Sequence, residues 1–173
     1  MEKPIFLIGF MGSGKTTLGK KLAKRLDRKF IDMDQVIVEK IGMSIPDYFQ
    51  QYGEDKFREF EQHVLREMSE TNTVVSTGGG SPCYFDNMDW IRDNGIAVYL
   101  QLSPKALHAR LQQSNISSRP ALKGLTGDKL LHFIETKLAE REPYYKRAHI
   151  AIDQLNSNVE SIHQIIKVHA ETI

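Results

Sequence analysis

Cysteine is almost missing from this chain. Cys83 is the only one in 173 residues, so no disulfide can form within it. Such sparing use fits a reducing compartment. The six histidines show no metal-ligand spacing, and the Cys/His clusters that zinc requires are absent. An excess of charge of one sign is also lacking. Lys and Arg number 23 and Asp and Glu 22, a net charge of +1, which gives no general case for nucleic acid or a membrane surface as partner. Any basic site must be local. No long hydrophobic run opens the chain. Pro4–Ile8 is too short for a membrane span or the core of a signal peptide, and a glycine-rich loop follows at once. These absences predict a cytoplasmic protein. Repeats and low-complexity tracts are missing, and no heptad or broad apolar stripe stands out, so a monomer is the expected state. A composition of 40% hydrophobic and 26% charged residues is that of an ordinary globular chain, and the length suits one domain over residues 1–173.

What is present is organised around Gly9-Phe10-Met11-Gly12-Ser13-Gly14-Lys15-Thr16-Thr17. This run fits G-x-x-x-x-G-K-[ST], the phosphate-binding loop. Its glycines let the backbone curl and bring consecutive N–H groups close to an anion. A helix starting near Gly14 would point its unsatisfied N–H groups and positive dipole end at the same phosphates. Lys15 would reach the β- and γ-phosphates, and the Thr16 hydroxyl would ligate Mg²⁺. A glycine-rich turn before an ordinary helix is the plainer alternative. The context favours the loop: Pro4–Ile8 reads as a buried strand before it, and Leu18, Leu22 and Leu26 recur on one helix face after it.

The chain then alternates. A first helix covers about Lys15–Leu26. Phe30-Ile31-Asp32-Met33-Asp34 reads as a short strand running into a loop, which would put Asp32 and Asp34 on one side. Alone, these acids are solvated groups at a strand end. Behind a phosphate loop they become oxygen ligands for Mg²⁺ and a substrate hydroxyl. Ser44 with Pro46 and Asp47 starts a helix that should end near Gly53, and another runs from Glu54 to about Glu70. On it Arg58 faces Glu54 and Glu61, either as one rung of a solvated ion-pair ladder or as a fork for a carboxylate. Thr73–Ser76 is a buried strand ending in Thr77-Gly78-Gly79-Gly80, which is a flexible turn or a place of close ligand approach. A helix around Asp86–Asp93, in which Trp90 is a packing residue, precedes a strand at Ile96–Leu100. Ser103-Pro104 opens a helix to about Leu111, with Arg110 near its end. The polar segment Gln112–Thr126, around Arg119, is a linker or a lid. A long helix from Asp128 carries Arg141-Glu142-Pro143-Tyr144-Tyr145, and Pro143 should bend or break it. Ile150–Asp153 is a fifth strand, and Val159–Val168 a closing helix. Strand–helix alternation predicts an α/β fold, a parallel sheet with helices on both faces. Periodicity does not fix the strand order.

The ordered set Gly9–Thr17, Asp32-Met33-Asp34, Gly53–Glu61, Thr77–Gly80, Arg119-Pro120 and Arg141–Tyr145 resembles the shikimate kinases from end to end. The resemblance implies a P-loop three-layer sandwich of the nucleoside-monophosphate-kinase-like group. Its five-stranded parallel sheet would have order 2-3-1-4-5, with a substrate-binding region at about 33–61 and a lid at about 112–126. It implies transfer of the γ-phosphoryl group of ATP to the 3-hydroxyl of shikimate, in chorismate and aromatic amino acid biosynthesis. It also assigns roles. Gly12, Ser13, Gly14, Lys15, Thr16 and Thr17 would hold the ATP phosphates, and Thr16 and Asp32 would hold one Mg²⁺. Asp34 would contact shikimate hydroxyls and accept a proton. Arg58, Arg141, Gly79 and Gly80 would bind the carboxylate, with Glu61 orienting Arg58. Arg119 would reach the phosphates from the lid, and Arg110 would lie near adenine. Ile45, Phe49 and Phe57 would wall the ring. One departure concerns Gln154-Leu155-Asn156-Ser157-Asn158, where many members carry arginine and proline beside adenine.

Two rivals remain on sequence grounds. A gluconate or nucleoside monophosphate kinase would keep Lys15 and Thr16 but would not need Asp34, Arg58, the triple glycine and Arg141 together. A nucleotide switch protein that reads guanine would carry N-K-x-D, which is absent.

Overall fold

The computed structural model describes residues 3–114 and 120–172. Its centre is β1 (Ile5–Ile8), four consecutive buried apolar residues. An unbroken apolar run of this kind suits a strand covered on both faces. Alternate side chains serve opposite layers. Ile5 and Leu7 pack with Leu18, Leu22, Ile162 and Ile166, whereas Phe6 and Ile8 pack with Met33, Ile37, Met88 and Ile91. Helices therefore lie on both faces, as expected.

The remaining strands are β2 (Lys29–Asp32), β3 (Thr73–Ser76), β4 (Ile96–Gln101) and β5 (Ile150–Asp153). All pair in parallel, in the order β2-β3-β1-β4-β5. β5 lies at an edge and alternates buried and exposed residues, as an edge strand with one dry face should.

Seven helices among the described residues connect these strands. α1 (Lys15–Leu26) begins where predicted. Its Gly19 has no Cβ because the Phe30 ring fills that space; a Cβ there would stand 2.5 Å from the ring. α2 (Met33–Ile41) corrects the strand reading. Only Asp32 belongs to β2; Met33 and Asp34 open a helix, and the Asp32 side chain caps it by accepting the Asp34 N–H at 3.1 Å. A carboxylate at that position is a strong helix start. α3 (Ile45–Glu67) is capped by Ser44 and kinks at Gly53, whose φ of 83° and ψ of 170° are not helical. The expected break is there, but the far end comes at Glu67 rather than Glu70.

A 3-10 turn (Ser81–Cys83) and α4 (Asn87–Asn94) follow β3, and α5 (Pro104–Gln112) follows β4. The segment after α5 contains a second 3-10 turn, Pro120–Leu122, with Leu122 buried in the core. Arg119 lies outside the described residues. α6 (Gly127–Tyr145) corrects another expectation. Pro143 neither breaks nor ends it; the helix continues to Tyr145, and Lys146 N–H still bonds to Glu142 O at 2.9 Å. Pro143 lacks the N–H that would bond back to Ala139, while the residue after Tyr145 still donates into the helix. α7 (Val159–Thr172) closes the chain and runs four residues past the expected end.

Candidate active site

The carboxyl ends of β1, β2 and β3 bring the predicted residues to one edge of the sheet, where open α/β sheets bind ligands. The loop after β1 curls tightly. Gly9, Gly12 and Gly14 all have positive φ, at 144°, 80° and 92°, which L side chains rarely adopt. Gly14 stands at the N-cap of α1 with no side chain to cap it, so the first-turn N–H groups are left to an external anion. Lys15 folds back over the loop, its ammonium donating to Gly9 O at 2.9 Å and Phe10 O at 3.0 Å. The Thr16 hydroxyl donates to Asp32 Oδ2 at 2.8 Å, leaving its lone pairs available.

This loop forms one wall of a cleft of about 380 Å³. Gly12, Gly14, Lys15, Thr16, Thr17, Asp32, Asp34, Gly79, Arg110 and Ser114 are among the residues that line it. Ser13 is the exception among the loop residues, its side chain turned inward and fully buried. Arg110 bridges two segments: Nη1 donates to Ser13 O at 3.2 Å, and Nη2 to Gln154 Oε1 at 2.6 Å. The departure at residue 154 is thus tied directly to the phosphate loop.

The other half of the site adjoins the triple glycine. Arg58 donates from Nη1 to Glu61 Oε2 at 2.8 Å, and from Nε and Nη2 to Glu54 Oε1 at 3.2 and 3.0 Å. Burial alone would lower the Arg58 guanidinium; Glu61 and Glu54 more than offset it and hold Arg58 above the usual arginine range. Burial pushes the Glu61 carboxyl up to about 7, against the pull of Arg58, and the nearby Asp34 charge adds to the rise. Each glycine is needed for space. A Cβ on Gly78 would lie 2.6 Å from Glu61 Oε1 and 3.1 Å from Asp34 Oδ1. On Gly80 it would lie 2.8 and 2.9 Å from the terminal nitrogens of Arg58. On Gly79 it would lie 3.2 Å from Met11 N and 3.7 Å from Arg141 Nη1, so this backbone joins the phosphate loop to the second arginine. Arg141 stacks over Phe10 at 5.5 Å, and its Nη1 is buried with no hydrogen-bond partner among the described residues. Phe57 is buried against Phe49, with ring centres 4.7 Å apart, and Ile45 packs beside them. Burial raises the Cys83 thiol to about 11, which keeps it protonated and unreactive.

Tyr84 went unnoticed in the sequence, and the contacts of Tyr145 and Gln154, which lie in stretches already singled out, could not be read from it. Tyr84 donates its hydroxyl to Glu54 Oε1 at 2.8 Å, and Tyr145 donates to Gly79 O. Gln154 accepts from Arg110. Each acts through a contact that only tertiary folding makes.

Among the described residues no group of three or more His, Cys, Asp or Glu could hold a metal ion. The Thr16 hydroxyl and Asp32 carboxylate are nevertheless hard oxygen donors at the lip of the phosphate loop. They suit Mg²⁺, which takes few protein ligands and completes its shell with phosphate and water.

Comparison with known proteins gives a consistent result. A family profile described as shikimate kinase matches residues 11–170. A shikimate kinase of Bacteroides fragilis is 40% identical over 174 residues, covering 95% of this chain and 97% of the relative. The crystal structure of a shikimate kinase from Bacteroides thetaiotaomicron superposes with a TM-score of 0.88 at 38% identity, covering 98% of each chain. A shikimate kinase from Acinetobacter baumannii, solved in complex with shikimate, superposes with a TM-score of 0.87 at 32% identity, covering 99% of this chain and 94% of the other.

Proposed function

The chain belongs to the shikimate kinase family, and on that premise we infer that it transfers the γ-phosphoryl group of ATP to the 3-hydroxyl of shikimate, giving shikimate 3-phosphate and ADP. The observation that carries the reading for these residues is the position of Gly79. Its backbone lies between a phosphate-binding loop and the half-buried Arg141, so a nucleotide and a small carboxylate can meet there.

The loop N–H groups of Gly12–Thr17 and the ammonium of Lys15 hold the phosphates. Lys15 is already fixed against the loop carbonyls, so little reorganisation is needed. Thr16 and Asp32 hold Mg²⁺, which when bound neutralises charge on the β- and γ-phosphates. Arg58 and Arg141 clamp the shikimate carboxylate; Nη1 of Arg141 is buried and makes no hydrogen bond among the described residues. Gly79 and Gly80 leave room for that carboxylate, and Phe49, Phe57 and Ile45 wall the ring. Asp34, exposed at the start of α2, takes the hydroxyls and accepts the proton of the attacking oxygen. Transfer is direct and in line, and positioning supplies most of the catalysis. Arg110, pinned between Ser13 and Gln154, lies on the adenine side.

Segment 112–126 acts as the lid that brings Arg119 to the phosphates, and residues 33–61 form the substrate-binding region. Two residues within it support this reading: Ser114 lines the phosphate cleft, and Leu122 is buried in the core. No described helix is long and apolar enough to cross a membrane, and a cytoplasmic monomer is the working state.

The test is ADP release from Mg-ATP with shikimate, quinate, gluconate or AMP in separate reactions. The expected result is a rate that only shikimate stimulates, lost in Arg58→Ala and Asp34→Ala while nucleotide still binds. Stimulation by a different acceptor would refute the substrate. Asp34→Asn with turnover retained would remove the proton-accepting role.

A further inference from the structure

The two carboxylates that hold Arg58 differ in how firmly they are themselves held. The Glu61 side chain is 2% exposed and fixed by packing. The Glu54 side chain is 50% exposed and follows directly on the non-helical Gly53. An ion pair to a half-exposed glutamate is ordinarily weak, because water screens it and the side chain can swing away. Yet Glu54 Oε1 takes two of the three bonds that Arg58 makes.

Tyr84 accounts for this. Its hydroxyl donates to the same Glu54 oxygen, from a turn 30 positions further along the chain. Its ring lies against the guanidinium, with Arg58 Cζ 4.2 Å from the ring centre, closer than Phe57 at 5.3 Å or Phe49 at 5.9 Å. One side chain thus holds Arg58 by its face and the partner of Arg58 by its hydroxyl. Burial and the Glu54 carboxylate raise the phenol above its usual range, so it stays a donor.

The turn that presents Tyr84 is unusual. Phe85 has a φ of 52°, a left-handed conformation rare for a bulky aromatic, and 59% of its surface is exposed. Burial of its own ring therefore does not explain the conformation. Its effect is to reverse the chain between Tyr84, which faces Arg58, and Asp86, which accepts from Gln62 and Arg66 on α3. The Asn87 N–H closes the turn on Tyr84 O at 3.2 Å.

The bonds to Glu54 and Glu61 use three of the five guanidinium N–H groups. One N–H remains on each terminal nitrogen, beside Gly80. We propose that Tyr84 is a positioning residue for substrate. It locks Glu54 and the Arg58 guanidinium in one orientation, so that the two remaining N–H groups meet the carboxylate of shikimate. This rests on the reading that Arg58 binds that carboxylate.

The experiment measures kcat and KM at saturating Mg-ATP for wild type, Tyr84→Phe, Tyr84→Ala and Arg58→Ala, with shikimate and with its carboxamide analogue. Tyr84→Phe keeps the ring and loses only the hydroxyl, and should raise KM for shikimate about threefold to tenfold, the net worth of a typical hydrogen bond. Tyr84→Ala should raise it by roughly a further tenfold through loss of the cation–π contact. In both variants kcat and the KM for ATP should stay within about twofold of wild type, since uniform binding alone is lost. The penalty should vanish with the carboxamide. An equal penalty on both acceptors, or a fall in kcat with KM unmoved, overturns the proposal. If Arg58→Ala penalises shikimate selectively and the Tyr84 variants do not, only the positioning role fails. If Arg58→Ala penalises both acceptors alike, the carboxylate reading fails with it.

Discussion

At the scale of single residues the site is governed by space and charge around Arg58. Gly80 is required there because a Cβ would press on the guanidinium at 2.8 to 3.0 Å. The neighbour that must yield is the end of a flexible side chain, so the fold should survive. Gly80→Ala is therefore expected to raise KM for shikimate roughly tenfold, a loss of about 1.4 kcal/mol of binding. Its melting temperature should stay within about 2 °C of wild type, which is less than 1 kcal/mol for a chain of this size. A large fall in Tm with KM unmoved would contradict this. Glu61 adds a pH dependence. Its carboxyl titrates near 7 because burial raises it. Above that pH it is the anion that anchors Arg58; below it the anchor is neutral. KM for shikimate should therefore rise as pH falls from 8 to 6. The pH dependence should flatten in Glu61→Gln, whose KM should already be raised at pH 8. Initial rates across that range for both proteins decide it.

At the scale of elements, most of the architecture was legible because the signals are local. The apolar run of β1, the glycines after it and the spacing of Leu18 and Leu22 set strand, loop and helix within two residues of their observed bounds. α2 was missed for a physical reason. It buries only Met33 and Ile37, and its Val36-Ile37-Val38 run has strand-like composition. Its helical signals are a cap from Asp32, a left-handed Gly42 at the far end and the i, i+4 pair Met33 and Ile37 buried on one face. Pro143 misled in the opposite direction, since the helix runs through it to Tyr145. The contact between α1 and β2 supplies a test of packing. Ala at position 19 would favour the helix by about 0.5 to 1 kcal/mol over Gly. Its Cβ would also meet the Phe30 ring at 2.5 Å and Leu7 at 3.1 Å, and overpacking costs about 1 to 3 kcal/mol. The clash should win, so Gly19→Ala is expected to lower Tm by about 3 to 6 °C. Adding Phe30→Leu should recover part of the loss. Additive losses in the double variant would mean that the two side chains do not compete for that space.

At the scale of the whole molecule the strand order and the meeting of distant residues lay beyond any local pattern. Periodicity marks strands but does not say which neighbour each one chooses; the order came from resemblance and is seen in the pairing. Lys15, Asp34, Arg58 and Arg141 were each readable as motif residues. The contacts of Tyr84 with Glu54 and of Gln154 with Arg110 join residues 30 and 44 positions apart, and nothing in their spacing announces them. The same long-range assembly predicts how ligands act on stability. The loop after β1 contacts the loop after β3 through Gly79 and α5 through Arg110, so a nucleotide held there ties together elements from both halves of the sheet. Binding to the native state alone stabilises it by about 2.7 kcal/mol at one hundred times Kd, which for a chain of this size raises Tm by about 5 to 10 °C. Mg-ATP is expected to give such a shift in wild type. Chelating the metal with EDTA should reduce it, because the charge that Mg²⁺ would neutralise on the phosphates would then be left uncompensated. Lys15→Met should lose most of the shift with or without metal. A Tm gain from ATP that is the same with and without EDTA would mean that the metal adds nothing to nucleotide binding, while leaving the phosphate loop intact.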